Sequence, residues 1–345
     1  LKKKTTIHDI ARELNTTGAT VSRALNDNPS ISESMKMNVR LMAKRLNYRQ
    51  DKVASSLRSG RTFVIGVIIP SAKISFFGSV VHGIEQVARE HGYRILLFQT
   101  NEQYLSEKEG INTLIQSNVD CIIASISKET IHYEHFLEVK EHNIPLILFD
   151  RSNDELGFPS VVIDDYKGAY MATSHLIEQG YNRIAHISGQ QHIKIFKDRL
   201  LGYKDALLEH NLPIVDELIT LGDVSIASGK EEAGKLLNIT NRPDAIFAAE
   251  DFTALGALQA LKTFDLHSPG KFGLVGFANE AFGEYITPTL TTIDQQNIKM
   301  GEETANLFLS LSNKKDIYKN SPPKIILDPI LIIRESSSKK IKNGE

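Results

Sequence analysis

Two groups of residues in this sequence have the types and spacing to do chemistry, and they differ in kind. The first is compact. Thr17, Gly18, Ala19, Ser22, Arg23 and Asn26 fall within ten residues of one another in the stretch TTGATVSRALN. On a helix Gly18, Ala19, Ser22, Arg23 and Asn26 share one outward face, opposite Val21, Ala24 and Leu25, with Thr17 before them as the cap. An arginine so placed can grip guanine O6 and N7 in a DNA major groove, while threonine, serine and asparagine hold phosphates. The second group is dispersed: Phe76, Phe77, Ser125, Ser127, Asp150, Arg151, Glu250, Asp251 and Asn279 follow apolar runs, Arg199 stands near a helix start and Gln295 after a crossover. Aromatic faces cover the apolar faces of a sugar, and carboxylate, amide and guanidinium groups bond hydroxyls. This set therefore suits a polyhydroxylated small molecule in a dry cleft.

The elements that must position the first group lie in Thr6–Asn26. Ile7, Ile10, Ala11 and Leu14 recur at helical spacing, and Thr6 with Asp9 three residues on makes a capping-box start. Asn15 and Thr16 break the pattern, and Thr17 caps a second helix from Gly18. A short helix with a small-residue start and an exposed arginine is how a recognition helix enters the major groove. An ordinary helical hairpin is the bland alternative. Ser32 opens a third helix with Val39, Met42, Ala43 and Leu46 inward, which completes an all-α headpiece over residues 1–50. Charge supports the nucleic-acid reading: residues 1–61 hold 13 Lys and Arg against 5 Asp and Glu, and the remainder 27 against 37. DKVASSLR, at 51–58, is helix-compatible but shorter than the roughly 12–15 residues an isolated helix needs.

From Phe63 the texture changes. FVIGVIIP, YRILLFQT, VDCIIASI and IPLILFD, then VVID, RIAHISG, DAIFAAED and FGLVGF, are apolar on both faces, as buried parallel strands require. Helical stretches separate them, so the body is α/β, a two-lobed doubly wound parallel-sheet fold over 62–335. LTTID and KIILDPILIIR read as crossovers between lobes. Lobe 1 is expected at about 62–163 and 294–322, lobe 2 at about 164–293 and 323–335, with 336–345 a tail. Ligands in such sheets lie beyond strand C-termini, where the second group stands.

Other chemistry finds little support. No segment approaches the roughly 18 apolar residues of a membrane span, LKKKTT does not read as a signal peptide, and the lone Cys121 reads as a buried strand residue. His132 and His135 lack a third ligand and read as a solvated helix face rather than zinc ligands. Asp164-Asp165 reads as a helix cap. GLVGF lacks dinucleotide-loop spacing, and no serine or cysteine nucleophile has an identifiable base. The expectation is no catalytic residue, no metal and no cofactor.

In Thr6, Ile7, Asp9, Ile10, Ala11, Thr20, Val21, Ser22, Arg23, Leu25 and Asn26 the chain resembles the lac repressor family of bacterial transcription regulators, and the resemblance runs nearly to the end. The resemblance implies a helix-turn-helix headpiece, a body similar to periplasmic sugar-binding proteins, and a cytoplasmic homodimer on double-stranded operator DNA, controlled by a small-molecule effector in the inter-lobe cleft. It makes 51–61 a hinge that orders on the operator, with Leu57 wedged into the minor groove and Arg58 beside it. Base contacts would start at Gly18 and Ala19, of which Ala19 could touch a thymine methyl. Thr6 joins the DNA-facing set, and Asp150, Arg199, Glu250 and Gln295 occupy ligand positions. Three departures stand out: Gln50-Asp51 where Pro-Asn is usual, Ala278 where many members have aspartate, and Glu250 where asparagine is common. A sugar-like effector is the first reading and a nucleobase the alternative. A transport receptor or a sugar-acting enzyme is the rival outside the family. The end, ESSSKKIKNGE, has no leucine heptads on which to build a tetramer.

Overall fold

The computed structural model describes residues 5–48, 61–266, 268–312, 318 and 322–339, in two compact units, 1–62 and 63–345. Leu57, Arg58 and the hinge reading of 51–60 lie outside the described residues.

In the first unit, α1 (Ile7–Glu13), α2 (Gly18–Leu25) and α3 (Glu33–Arg45) start where their side chains satisfy the leading amides. Thr6 N donates to Asp9 Oδ2 at 2.9 Å, Thr20 N to Thr17 Oγ1 at 3.1 Å, and Met35 N to Ser32 Oγ at 3.3 Å. Asn15, at φ +46°, makes the left-handed turn that sends α2 across α1. Ile10, Ala11, Val21, Ala24, Val39 and Ala43 close one small core.

In the second unit, lobe 1 is a six-stranded parallel sheet in the order β11-β5-β4-β3-β1-β2, where β1 is Val64–Ile69, β2 Arg94–Gln99, β3 Cys121–Ala124, β4 Leu146–Phe149, β5 Ser160–Ile163 and β11 Lys324–Leu327. Around it pack α4 (Ser75–Glu90), α5 (Tyr104–Gln116), α6 (Glu134–Glu141) and α11 (Asn297–Leu311). Lobe 2 is a four-stranded parallel sheet, β7 (Ile219–Leu221), β6 (Ile184–Ser188), β8 (Ala245–Ala248) and β9 (Gly273–Val275) in that order. Its helices are α7 (Asp165–Glu178), α8 (Lys194–Glu209), α9 (Ile226–Asn238) and α10 (Asp251–Thr263). β10 (Thr292–Asp294) pairs antiparallel with β12 (Ile330–Ile332).

Two boundaries and one side chain differ from expectation. Lys324–Leu327 pairs with Ser160–Ile163 in the lobe 1 sheet, so the last return to lobe 2 falls after Leu327 and not at 323. The tail reading of 336 onward fails for its first residues. Ser336 and Ser337 are buried, Ser336 Oγ donating to Leu274 O at 2.6 Å and Ser337 Oγ lying 2.7 Å from His175 Nε2. His135 is buried on Glu107 Oε1 at 2.9 Å, whereas His132 precedes α6 and is exposed. Cys121 is buried in β3 as expected, and Asp164 caps α7 through Lys167 N.

Candidate nucleic-acid interface and ligand cleft

On α2 the inward residues are Val21 and Ala24, with Leu25 half-buried. Thr17, the N-cap, Ala19, Arg23 and Asn26 are exposed, and Gly18 and Ser22 half-exposed, so all six are open to solvent. A Cβ added at Gly18 would lie 3.1 Å from the exposed His8 imidazole, close enough that the ring would have to shift. Thr6 is exposed, but its hydroxyl and N–H are both given to Asp9, which makes it a cap first.

In the body, strand ends bring most of the dispersed group together. A cavity of about 50 Å³ is walled from lobe 1 by Ile74, Phe76, Phe77, Lys128, Asp150 and Arg151. From lobe 2 come Ile195, Phe196, Arg199, Val224, Glu250, Ala278 and Gln295. Ser127 and Asn279 lie outside this cavity. Ser127 is committed to Glu107 Oε2 through its N–H at 2.6 Å and to Thr100 Oγ1 at 2.7 Å. The side chain of Asn279 donates to Asp294 Oδ2 and accepts from Arg334. Ser127 lines a second, larger cavity of about 470 Å³, with Arg151, Gln191 and Lys194.

The cations of the cleft are largely committed, with Arg151 Nε, 3.9 Å from Asp150 Oδ2, left without a hydrogen bond. Arg199 donates to Asp165 Oδ1 at 2.8 Å, Ala249 O at 2.6 Å and Gln295 Oε1 at 3.4 Å, and its guanidinium lies 3.6 Å over the Phe277 ring. Arg151 donates to Glu102 at 2.7 Å and to Ile126 O. Lys128 donates to Asp223 O at 3.0 Å, across to lobe 2. The carboxyls are less committed. Asp150, held at φ +57°, accepts a long 3.4 Å bond from Ser125. Glu250 accepts from Phe252 N at 2.8 Å, as the N-cap of α10.

Burial governs their titration. It pushes Asp150 up against the pull of Arg151 and Arg199 and brings Asp165 to about 7 despite Arg199. Glu250 keeps part of its surface open to the cavity but is walled in by protein atoms, and burial, then neighbouring Asp251, raises it well above the usual range. Lys128 is lowered, by burial first. Of the eleven residues of the dispersed group, seven line this one cavity: Phe76, Phe77, Asp150, Arg151, Arg199, Glu250 and Gln295. Lys128, which follows β3, lines the cavity without belonging to that group. No group of three or more His, Cys, Asp or Glu suited to a metal occurs among the described residues, and no helix there is long and apolar enough to cross a membrane.

Comparison with known proteins agrees with both halves. Residues 6–51 match the family described as bacterial regulatory proteins, lacI family, and residues 62–319 match periplasmic binding proteins and sugar binding domain of LacI family. The chain is 34% identical over 313 residues to catabolite control protein A of Priestia megaterium, covering 90% of this chain and 94% of that one. It is 32% identical to a ribose operon repressor of Halalkalibacterium halodurans, covering 99% and 98%. Among solved structures it resembles a transcriptional regulator CelR–cellobiose complex (26% identity, 96% and 100% covered, TM-score 0.72). In fold it also resembles a lac repressor dimer bound to operator and anti-inducer (23% identity, 97% and 100% covered, TM-score 0.86). These matches, to a basic headpiece and to the two-lobed body that follows it in the sequence, place this chain in the lacI family as a DNA-binding transcription regulator, not an enzyme.

Proposed function

We propose that the protein is a cytoplasmic homodimer that represses transcription from a partly palindromic operator and answers to a sugar or sugar derivative held between its lobes. In this reading Arg23 reads a guanine and Ala19 abuts the groove, with Gly18 allowing close approach. Thr17, Ser22 and Asn26, with Thr6, hold phosphates. Leu57 and Arg58 carry the minor-groove contact, and DNA bendability adds to selectivity. Phe76, Phe77, Asp150, Arg199, Glu250 and Gln295 bind the effector, while Ser127 and Asn279 act from behind that set.

The observation that carries the effector reading is the imbalance in the cleft: committed cations beside carboxyls with acceptor capacity to spare, next to three phenylalanines. Such a wall fits a molecule rich in hydroxyls with an apolar face. A thermal-shift screen of sugars, sugar phosphates and purines tests it. A ligand at 100 times its Kd stabilises by about 2.7 kcal/mol, and a purine that alone shifts the transition would move the reading to a nucleobase. For the headpiece, Arg23→Ala is expected to relax preference at one base pair per half-site in a binding-site selection. Unchanged selectivity would remove Arg23 from base reading.

A further inference from the structure

The cleft is fastened at one edge by a residue outside the expected ligand set. α4 begins at Ser75 with Ile74 as its N-cap, whose side chain cannot accept a hydrogen bond. The leading amides of that helix need an acceptor from elsewhere. Glu280 of lobe 2 supplies it: Oε1 accepts from Phe76 N at 3.1 Å, and Oε2 from Ser75 N at 3.3 Å and from the Ser75 hydroxyl. A carboxylate there also meets the positive end of the helix dipole.

Glu280 is held to this task. It is 2% exposed, and its own N–H donates to Asp251 Oδ2 at 2.7 Å. Asp251 Oδ1 in turn accepts from Thr292 Oγ1 at 2.7 Å. The backbone before it runs through Ala278 at φ +124° and Asn279 at φ +52°, conformations a non-glycine residue keeps only where its surroundings impose them. The gripped turn carries Phe76 and Phe77, two walls of the cavity. That cavity, at about 50 Å³, has room for one or two waters, against the roughly 300–1,000 Å³ of small-molecule sites. The adjoining cavity of about 470 Å³ shares Arg151 and Ile195 with it, so a sugar-sized molecule has room nearby but reaches fully in between Phe76, Phe77 and Glu250 only if the lobes part.

We propose that Glu280 is a cross-lobe latch: its grip on the first turn of α4 sets the closure of the cleft, and hence the fraction of molecules open to an effector. The effector clause rests on the reading above; the latch does not. Apparent affinity scales with the open fraction, so weakening the latch is expected to tighten binding of any cleft ligand the screen finds.

Hydrogen exchange on the full chain, without DNA or added ligand, tests the latch. In Glu280→Ala the peptide spanning 74–79 is expected to exchange at least ten times faster, with 84–90 of the same helix unchanged as the control for folding. Glu280→Gln, which keeps one acceptor oxygen, should fall between. Spin labels at Lys108→Cys in lobe 1 and Lys230→Cys in lobe 2, both exposed and separate from buried Cys121, should report a longer or broader distance in the alanine variant. Unchanged exchange at 74–79 would overturn the proposal. So would faster exchange with an unchanged distance, which would make Glu280 a cap and nothing more. Should the alanine variant fail to fold, Glu280→Gln and Ser75→Ala carry the same two measurements.

Discussion

The two lobes repeat one plan down to individual positions. α4 and α8 each have 16 residues, each follow an isoleucine N-cap with no side-chain bond (Ile74 and Ile193), and each put apolar residues of the first turn into the cavity. The ninth residue of each is a glycine in contact with a partner-helix carbonyl. A Cβ on Gly83 would lie 2.1 Å from Ile298 O of α11, and one on Gly202 would lie 2.2 Å from Tyr166 O of α7. The lobes part company in what holds those helix starts. Lobe 2 lends Glu280 to α4, while no carboxylate of lobe 1 is seen bonding the first turn of α8 among the described residues. The shared plan therefore explains the folding of each lobe, and the departures from it lie where the lobes meet.

The largest effect should come from the two arginines that each lobe buries at the cleft. Arg199 and its partner Asp165 have side chains 2% and 5% exposed, whereas Glu102, the partner of Arg151, is 21% exposed. Arg199→Ala is expected to destabilise by about 3–5 kcal/mol by chemical denaturation, because an uncompensated carboxylate remains in the interior. Asp165, already raised to about 7, can take a proton instead, so the loss should be greater at pH 8 than at pH 5.5. Arg151→Ala leaves Glu102 able to reach water and should lose less than half as much. Equal losses would refute the contrast drawn from burial.

Next come the glycines. Gly83→Ala and Gly202→Ala should each destabilise by about 1–3 kcal/mol through overpacking against a backbone carbonyl. Gly78→Ala on the same α4 meets nothing within 4 Å and should stabilise by about 0.5–1 kcal/mol. Gly301 of α11 is the sharper test. Its counterpart at the fifth position of α7 is Ala169, yet a Cβ on Gly301 would lie 2.0 Å from Val80 O. That clash predicts that Gly301→Ala is as damaging as Gly83→Ala. If it is tolerated, that contact relaxes readily.

The sequence exposes what is local and hides what is not. Thr6, Thr17 and Ser32 announced their helices because a cap and its amide lie two or three residues apart. Asp150 and Glu250 were legible because strand ends converge by construction in a doubly wound sheet, whereas Arg199, inside α8, and Gln295, after a crossover, rested on the resemblance to the family. Glu280 was not legible, since its partners Ser75 and Phe76 lie more than 200 residues away and nothing in NEAFGE marks it as a cap. His135 was misjudged for the same reason, because the carboxylate that buries it, Glu107, stands on another helix. The boundary near 323 slipped because KIIL reads equally well as a strand of either sheet, and only its pairing with β5 decides.

The smallest effect concerns the carboxyl pair in lobe 2. Where lobe 1 follows β4 with Asp150-Arg151, lobe 2 follows β8 with Glu250-Asp251, two acids side by side. Asp251 is fully buried, and it accepts from Thr292 Oγ1 and Glu280 N. Burial carries its pKa to about 7 against the hydrogen bonds from Thr292 Oγ1 and Glu280 N, which lower it; the Glu280 carboxylate adds to the rise and Arg334 opposes it. A carboxyl whose folded pKa lies above its unfolded value contributes stability that is fully present below about pH 4 and lost as pH climbs through about 7. The midpoint of thermal unfolding should therefore fall between pH 6 and pH 8 by roughly 2–4 °C, the equivalent of about 1 kcal/mol in a unit of this size. Asp251→Asn can still accept from Glu280 N while donating to Thr292 Oγ1, and it relieves Glu250 of a neighbouring charge. It should flatten that slope while leaving the part that belongs to Asp165. Parallel pH curves for the two proteins would mean that Asp251 stays ionised throughout, and that the polar donors around it outweigh its burial.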